Sequence, residues 1–324
     1  MIRKLLCSRL KKPKILALLA AFLVSLVAIP LFSFSPLMAT PSTTIQFVSP
    51  DWLAKNSSDR TLRVLDVRIN PLEYFAGHLP NAIHIADNTF RGPNGLLPVQ
   101  YWNTTKLGQL FSQAGVSNNS RVLVYSDARD ILGATMVAYL LERSGVKEIA
   151  VLDGGFSGYK ASGQPVTQEF PKYAPTRFTV QDNPAIRVTL ADVRGFLNQP
   201  TVKFIDPRPP KLFSGEEKLW TRNGHIPGAR NIPWVTFTQG NPTTSEGNFH
   251  KLKSLDEIKQ ILATKKIMPA DDVIVSCSTG REATLQYVVL KHLLGYPKVR
   301  IYEGSWTEYS QSNLPIETGA EKAA

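Results

Sequence analysis

Cysteine is nearly absent from this sequence. Only Cys7 and Cys277 occur among its 324 residues, and Cys7 precedes the folded part, so no intrachain disulfide is expected there. The same scarcity excludes a cysteine-based zinc site. Three histidines could still be metal ligands, but they have no ligand spacing with a cysteine or an acid: His84, His250 and His292. We therefore expect no metal and no cofactor, and a folded part with one unpaired thiol.

Acidic residues are missing from residues 1–39, which contain six lysines and arginines and the apolar run ILALLAAFLVSLVAI. A basic start followed by an apolar stretch is typical of a signal peptide, here cut near Ala39. An uncleaved membrane anchor through residues 15–34 is the alternative, because this stretch approaches spanning length. Both interpretations place the folded part outside the cytoplasm, in the periplasm or an equivalent compartment, either secreted or membrane-anchored.

The rest of the chain has no arginine-rich run and no basic–aromatic stripe. The formal net charge is +11, but six positive charges belong to residues 1–39, which leaves +5 for the remainder. Such a mild excess argues against a nucleic-acid partner and favours small anions. We expect a monomer that binds a small anionic substrate.

Two copies of one pattern run through the chain. LDVR at 65 recurs as IDPR at 205, GHLPNA at 77 as GHIPGA at 224, and LDGGFSGY at 152 as YEGSWTEY at 302. The offset grows from 140 to 150 along the chain, and the offset of 150 also aligns RVLVYS with DDVIVS. Matches in one constant order indicate a duplication rather than chance.

Each copy alternates short apolar strands with helical segments. Helices are expected to begin at Ser49 and Thr189, helped by Pro50 and Asp192 respectively. This alternation predicts an α/β fold, in which each copy is a mostly parallel sheet with helices on both faces. We predict a first domain over residues 40–169, a linker rich in proline and polar residues over 170–185, and a second domain over 186–324.

Cys277 lies between the apolar run DVIVS and a helical segment. A lone cysteine is most often buried and inert. Here, however, it follows the carboxyl end of a strand, where α/β sheets bind their ligands. The residues that follow can curve the backbone so that N–H groups point at the sulfur, with a positive φ at the glycine: Ser278, Thr279, Gly280 and Arg281. We expect this loop to lower the pKa of the thiol and to make Cys277 a nucleophile.

The duplication offers an internal comparison for this loop. With the offset of 150, Cys277 aligns with Asp127 and Gly280 with Asp130. Carboxylates would then stand where an anion has to bind, and like charges repel. We expect the first copy to lack the chemistry and to be architectural.

The motifs D-x-R, G-H-x-P-x-A, CSTGREAT and YEGSWTEY together resemble those of the two-domain rhodaneses, the thiosulfate and 3-mercaptopyruvate sulfurtransferases. The resemblance spans residues 45–318. It implies two tandem rhodanese-like domains, the first inactive with Asp127 in place of a cysteine, and a persulfide on Cys277. Sulfur would move from thiosulfate, or else 3-mercaptopyruvate, to a thiophilic acceptor. The implied donor-binding residues are Ser278, Thr279, Gly280, Arg281, Glu282, Arg222 and Lys211.

The donor site departs from the family pattern. Thiosulfate-type loops usually have a cation just after the cysteine, and mercaptopyruvate-type loops usually read Cys-Gly-Ser-Gly-Val-Thr, whereas this loop is CSTGRE. The family's substrate-binding arginine aligns with Leu212, beside Lys211, and a second one is matched by Arg222. We interpret segment 209–223 as a wall of the donor site. A plain surface insertion is the alternative.

Two other functions are compatible with a reactive cysteine. A cysteine phosphatase needs an arginine six positions after the nucleophile, and Ala283 stands there. An extracytoplasmic persulfide carrier or regulatory binding module would hold sulfur without turning over a free donor. Turnover of thiosulfate or 3-mercaptopyruvate separates an enzyme from such a module.

Several polar residues recur in both copies and are therefore interpreted as structural. They are the turn histidines His78 and His225 and the pairs Asp66–Arg68 and Asp206–Arg208. Trp306 either lines the cleft or packs in the core.

Overall fold

The computed structural model describes residues 43–127, 130–240 and 250–321. The predicted signal peptide or anchor, including residues 15–34, lies outside these ranges. Across the described ranges, none of the helices combines the length and the apolar character needed to cross a membrane.

In the first half, strands and helices alternate along the chain. The strands are β1 (Thr44–Val48), β2 (Leu62–Asp66), β3 (Ala82–His84), β4 (Arg91–Asn94), β5 (Leu97–Tyr101), β6 (Arg121–Tyr125) and β7 (Glu148–Leu152). The helices are α1 (Pro50–Asn56), α2 (Pro71–Ala76), α3 (Thr104–Gln113), α4 (Ile131–Arg143) and α5 (Gly155–Ala161).

The second half follows the same order. Its strands are β8 (Arg187–Val188), β9 (Val202–Asp206), β10 (Arg230–Asn231), β11 (Asp272–Val275) and β12 (Val299–Tyr302). Its helices are α6 (Leu190–Phe196), α7 (Pro210–Ser214), α8 (Leu255–Thr264), α9 (Ala283–Val288) and α10 (Ser305–Tyr309), and a π-helical turn, Val289–Leu293, extends α9.

The two halves contain equivalent sheets, which confirms the α/β fold and the duplication. The strand orders are β1-β7-β6-β2-β3 and β8-β12-β11-β9-β10, and every pairing within these sheets is parallel. Strands β4 and β5 form a separate antiparallel hairpin in the first half. Parallel strands buried on both faces need apolar side chains throughout, as the sequence of β6 and β11 shows.

The D-x-R motifs are buried ion pairs, as predicted. Arg68 lies 2.5 Å from Asp66 and also donates to the carbonyl oxygen of Gly77 at 2.8 Å. Arg208 repeats the arrangement with Asp206 at 2.6 Å. A buried arginine needs such partners, and through Gly77 and Gly224 each pair ties the end of β2 or β9 to the G-H-x-P turn.

The G-H-x-P histidines stabilise their turns, which confirms the structural interpretation. His78 Nδ1 is 2.9 Å from the carbonyl oxygen of Tyr74, and its ring stacks on that tyrosine. His225 Nδ1 is 2.9 Å from the carbonyl oxygen of Phe213 and stacks on that ring. Both rings are buried and satisfied within their own halves.

The predicted helix starts differ in their detail. Thr189 forms a reciprocal capping box with Asp192 at the start of α6, as expected. Ser49 occupies the corresponding position before α1, but its side chain makes no capping hydrogen bond. The prediction that Ser49 caps the helix is therefore wrong, although the helix begins where it was predicted. Pro50, at the first helical position, is the residue that favours this start.

The predicted linker lies against the first half. Residues 170–183 contain neither helix nor strand. Within them, the backbone N–H of Phe178 donates to Ser112 Oγ at 3.1 Å, and that of Gln181 donates to the carbonyl oxygen of Ser144 at 2.9 Å. These bonds fix the path of the chain between its two halves.

The two halves share one hydrophobic cluster, to which α4 and α9 both contribute, and each half has a second cluster of its own. Thr135 and Thr284 meet through their hydroxyls at 3.0 Å. Glu142 of α4 accepts from three side chains of the second half, Tyr287, Lys291 and His292. Burial would raise the pKa of Glu142, but the hydrogen bond from His292 and the nearby cations outweigh it and hold that pKa below its usual value.

Candidate active site

Cys277 lies just beyond the carboxyl end of β11, in the middle of the second sheet. β11 is flanked by β9 and β12, so the loop that leaves it opens at the edge where parallel sheets bind ligands. The backbone N–H of Ser276 still donates to the carbonyl oxygen of Ile205 at 3.0 Å. Cys277 therefore comes directly after the last hydrogen bond to the neighbouring strand, and the sheet determines its position.

The loop directs a backbone amide at the sulfur. Gly280 N–H donates to Cys277 Sγ at 3.1 Å, and Gly280 adopts a φ of +88°. A Cβ at this position would lie 3.1 Å from Tyr101 Oη and 3.2 Å from the carbonyl oxygen of Glu303. The predicted positive φ is confirmed, and a side chain at this position would also crowd Tyr101 and the backbone of Glu303.

The Gly-Ser-Trp segment at the start of α10 supports the same loop. The backbone N–H of Trp306 donates to the carbonyl oxygen of Cys277 at 2.9 Å, and Thr307 donates to that of Ser278 through N–H and hydroxyl. Ser305 Oγ accepts from Cys277 N–H at 3.3 Å, although Ser305 has a φ of +50° that a side chain disfavours. Trp306 is buried and packs in the core, which decides between its two interpretations.

The first half also contacts the loop. Arg281 lies 2.5 Å from both Asp87 and Asp130, and Arg91 Nη1 donates to Thr279 Oγ1 at 3.2 Å. We predicted Arg281 as a donor-binding residue, but two carboxylates of the first half already hold its guanidinium. Sequence reasoning missed these partners because no local pattern connects residues so distant in the chain.

Tyr101, at the end of β5, covers the loop from the first half. It is buried, and its hydroxyl has no hydrogen-bond partner among the described residues. Burial, followed by the proximity of the ionisable side chains of Cys277 and Glu303, raises its pKa well above the ordinary value, whereas Arg91 lowers it. The phenol is thus a neutral group close to the sulfur.

The expected lowering of the Cys277 pKa is wrong for this structure. The side chain is only 1% exposed, and burial, followed by the negative charge of Glu282, raises the pKa of the thiol well above its ordinary value. Hydrogen bonds from the backbone of Ala283 and Thr279 act in the opposite direction but do not offset these effects. Cys277 is therefore protonated at neutral pH in the free protein.

Replacing Glu282 by glutamine should lower the pKa of Cys277, because a negative charge beside a thiolate disfavours ionisation. Glu282 Oε2 is buried without a hydrogen-bond partner among the described residues, so the charge acts on the sulfur directly. We expect Glu282→Gln to raise the alkylation rate by iodoacetamide at neutral pH by about tenfold. The pH profile of alkylation, measured in a Cys7→Ala background, checks this. Glu217→Gln, at an exposed site, is the control; an unchanged or slower rate in Glu282→Gln contradicts the assignment.

The two other predicted donor-binding cations lie in different surroundings. The Arg222 guanidinium donates to the carbonyl oxygens of Ser312 and Leu314, beyond α10. Lys211 borders a cleft together with Lys265 and Glu321, and no residue of the 277–282 loop lines that cleft. The structure therefore does not bring Lys211 together with the loop, and it gives Arg222 backbone partners.

The strand pairings fix which residues of the two copies are equivalent. Val124 of β6 pairs with Leu65, and Val275 of β11 pairs with Ile205, which the D-x-R repeat aligns with Leu65. The pairings of β6 and β11 with β7 and β12 agree. The offset at this strand is therefore 151 rather than 150.

This shift corrects the predicted counterpart of Cys277. The equivalent residue of the first half is Ser126, not Asp127, and Asp130 is equivalent to Arg281. Ser126 Oγ donates to the carbonyl oxygen of Asp130 and lies 3.1 Å from His250 Nε2. The first half thus has a covered hydroxyl where the second half has its thiol.

Comparison with known proteins agrees with this architecture. The model of one family, described as the rhodanese-like domain, matches residues 49–162 and again 189–312. A Synechococcus elongatus protein named "Putative thiosulfate sulfurtransferase" is 59% identical over 308 residues, covering 95% of each chain. The "Sulfur carrier protein TtuD" of Thermus thermophilus is 31% identical and covers 85% of this chain and 97% of its own.

A solved structure has the same two-domain fold. The crystal structure of SseA from Escherichia coli, described as a 3-mercaptopyruvate sulfotransferase, matches with a TM-score of 0.71 and 27% sequence identity. The match covers 81% of this chain and 99% of that one. The similarity is therefore too long to be confined to one of the two halves.

Proposed function

This chain belongs to the rhodanese family, and we propose on that premise that it is a sulfurtransferase that carries sulfur on Cys277 from thiosulfate to a thiophilic acceptor. The observation that carries the proposal is the 3.1 Å hydrogen bond from Gly280 N–H to Cys277 Sγ at the carboxyl edge of the second sheet. The equivalent residue of the first half is Ser126, so only one half offers a thiol. A single turnover site follows.

The reaction is a double displacement at sulfur. Cys277 Sγ forms a bond to the outer sulfur of thiosulfate while the bond between the two donor sulfurs breaks. Sulfite departs and keeps the electron pair of the broken bond. It takes up the proton of the thiol and is released as hydrogen sulfite. The acceptor, for example cyanide, then takes the outer sulfur, and Cys277 recovers a proton from water. Gly280 N–H can stabilise the negative charge on the persulfide.

Thiosulfate is the donor that we place first and 3-mercaptopyruvate the second. The relative with 59% identity carries thiosulfate in its name, and the similar crystal structure carries 3-mercaptopyruvate. Both donors are small anions: thiosulfate bears its charged oxygens on the neighbouring sulfur, and 3-mercaptopyruvate bears a carboxylate at the other end of a three-carbon chain. The loop sequence CSTGRE matches neither pattern that the resemblance implies, so the preference depends on the more similar relative.

Steady-state assays with purified protein test the proposal. We expect thiocyanate formation from thiosulfate and cyanide to exceed pyruvate release from 3-mercaptopyruvate at equal donor concentration. Mass spectrometry after exposure to thiosulfate alone should show one added sulfur atom on the peptide that contains Cys277. Faster pyruvate release would make 3-mercaptopyruvate the donor. A stable persulfide without turnover of either donor would identify a carrier instead.

We also propose that the protein works outside the cytoplasm. The support is the basic and apolar pattern of residues 1–39, with cleavage near Ala39 or anchoring through residues 15–34. The mass of the protein recovered from its native cells distinguishes a cleaved signal peptide from an uncleaved anchor, because cleavage removes the first 39 residues. A full-length chain in the soluble cytoplasmic fraction would reject both.

A monomer is proposed for the active form. The support is that residues of the first half, Asp87, Arg91 and Asp130, already contact the Cys277 loop within one chain. No second copy is then required to complete the surroundings of the loop.

A further inference from the structure

The hairpin of β4 and β5 brings a cation to the Cys277 loop. Arg91 and Tyr101 face each other across the hairpin, and Arg91 Nη1 donates to Thr279 Oγ1 at 3.2 Å. Tyr101 lies against Gly280 in the same loop. The first half therefore places a guanidinium beside the loop, where the loop sequence itself has no cation directly after its cysteine.

The charge of Arg91 is not committed to a carboxylate. No ion pair of Arg91 occurs within the described ranges, whereas Arg281 contacts two carboxylates and Arg143 contacts Glu303 at 3.2 Å. Arg91 and Thr279 are both partly exposed, so a small solute can reach them. Of the arginines that contact the loop, Arg91 is the one whose charge is available to a ligand.

Acidic side chains surround the sulfur, so a cation beside the loop would favour an anionic ligand. Glu282 acts on the thiol, and Asp87 and Asp130 together exceed the single charge of Arg281. A dianion would be repelled from this region, because like charges repel each other more strongly in a partly buried, low-dielectric site than in water. A guanidinium at the loop reduces that repulsion.

The hairpin holds Arg91 in place. Trp102 N–H donates to the carbonyl oxygen of Phe90 at 3.2 Å, and Trp102 Nε1 donates to that of Thr89 at 2.8 Å. A Cβ on Gly92 would lie 2.3 Å from the Trp102 ring, so the backbone next to Arg91 packs directly on the indole. A preorganised donor loses less conformational entropy when it binds.

We propose that Arg91 binds the anionic end of the sulfur donor, with Thr279 as its partner. The planar guanidinium matches the oxygens of a sulfonate or a carboxylate, and the Thr279 hydroxyl, which accepts from Arg91, is free to donate to the same oxygens. The donor's sulfur would then lie over Cys277. This inference deepens the proposed function and rests on it for the identity of the donor, and it assigns donor specificity to the half that has no thiol.

Kinetics with thiosulfate test the proposal in the catalytic cycle. Arg91→Gln should raise the KM for thiosulfate by about tenfold to a hundredfold, with a much smaller change in kcat, because charged hydrogen bonds contribute about 1.5–3 kcal/mol. The KM of Arg91→Lys should lie between those of the wild type and Arg91→Gln, since lysine keeps the positive charge but cannot form two parallel hydrogen bonds. Arg60→Gln, at an exposed site of the same half, should leave KM unchanged. An unaltered KM in Arg91→Gln would overturn the proposal.

Alkylation of Cys277 tests it without turnover. In a Cys7→Ala background, Arg91→Gln should lower the ratio of the rate with iodoacetate, an anion, to that with iodoacetamide by about tenfold. Both reagents report the same thiolate, so a changed pKa cancels in the ratio, and an unchanged circular dichroism spectrum checks that the fold is retained. An unchanged ratio refutes the role of Arg91. A wild-type protein that turns over neither donor, but shows the changed ratio in Arg91→Gln, refutes the proposed function and keeps the anion site.

Discussion

Replacing Cys277 by alanine should lower thiocyanate formation from thiosulfate and cyanide by at least about a thousandfold, because loss of a covalent nucleophile removes the reaction path itself. The variant should also gain no sulfur when it is exposed to thiosulfate alone. The side chain is buried in a loop held by Gly280 N–H and by the start of α10, so a small substitution should preserve the fold. Steady-state assays and intact-protein mass spectrometry measure both effects.

Two controls make this result specific. Cys7→Ala should retain wild-type turnover, since Cys7 precedes both predicted domains and takes no part in the proposed reaction. The double variant Cys277→Ala/Ser126→Cys should stay inactive although it restores a thiol at the equivalent position. Ser126 is covered by His250, and by the corrected offset Arg129 stands in the sequence where the second copy has Gly280. Turnover that survives in Cys277→Ala would reject the mechanism.

Replacing Arg281 by methionine should reduce the free energy of unfolding by about 3–5 kcal/mol, because it leaves a buried carboxylate without its partner. Asp87 is 1% exposed and lies 2.5 Å from Arg281. Methionine keeps much of the apolar stem, so the loss reports the charge rather than a cavity. Urea denaturation, followed by fluorescence, measures the change in the unfolding midpoint.

The same cluster supplies the matched controls. Asp130 is 35% exposed, so Asp130→Asn should cost less than about 1 kcal/mol even though its contact with Arg281 is equally short. Adding Asp87→Asn to Arg281→Met should recover part of the stability, since the uncompensated charge is then gone. Equal losses from Asp130→Asn and Arg281→Met would contradict the role that burial plays here.

Most of the fold followed from patterns that are local in the sequence. Repeated motifs in constant order predicted two equivalent parallel sheets, and the D-x-R and G-H-x-P residues form the buried pairs and turns that were expected. Gly280 was predicted from the conformation that the loop needs. These features depend on periodicity and on backbone sterics, which a single sequence contains.

What the sequence did not predict depends on long-range packing. The alignment of Cys277 with Asp127 is wrong by one residue, because the motifs on either side leave the offset at β6 undefined and only the strand register fixes it. The lowered thiol pKa was inferred from the amides alone, whereas burial and Glu282 dominate. Arg91 and Asp87 belong to the first half and contact the loop of the second half. No local sequence pattern predicts contacts between residues so far apart in the chain.

The contacts that cross from Arg91, Asp87 and Asp130 to the loop bear on how the two copies diverged. A duplicated gene can discard a redundant copy only while each copy is self-sufficient. Here the loop of the second half depends on charged side chains of the first half, so we expect that a chain without the first half would not work. The two copies can therefore no longer replace one another.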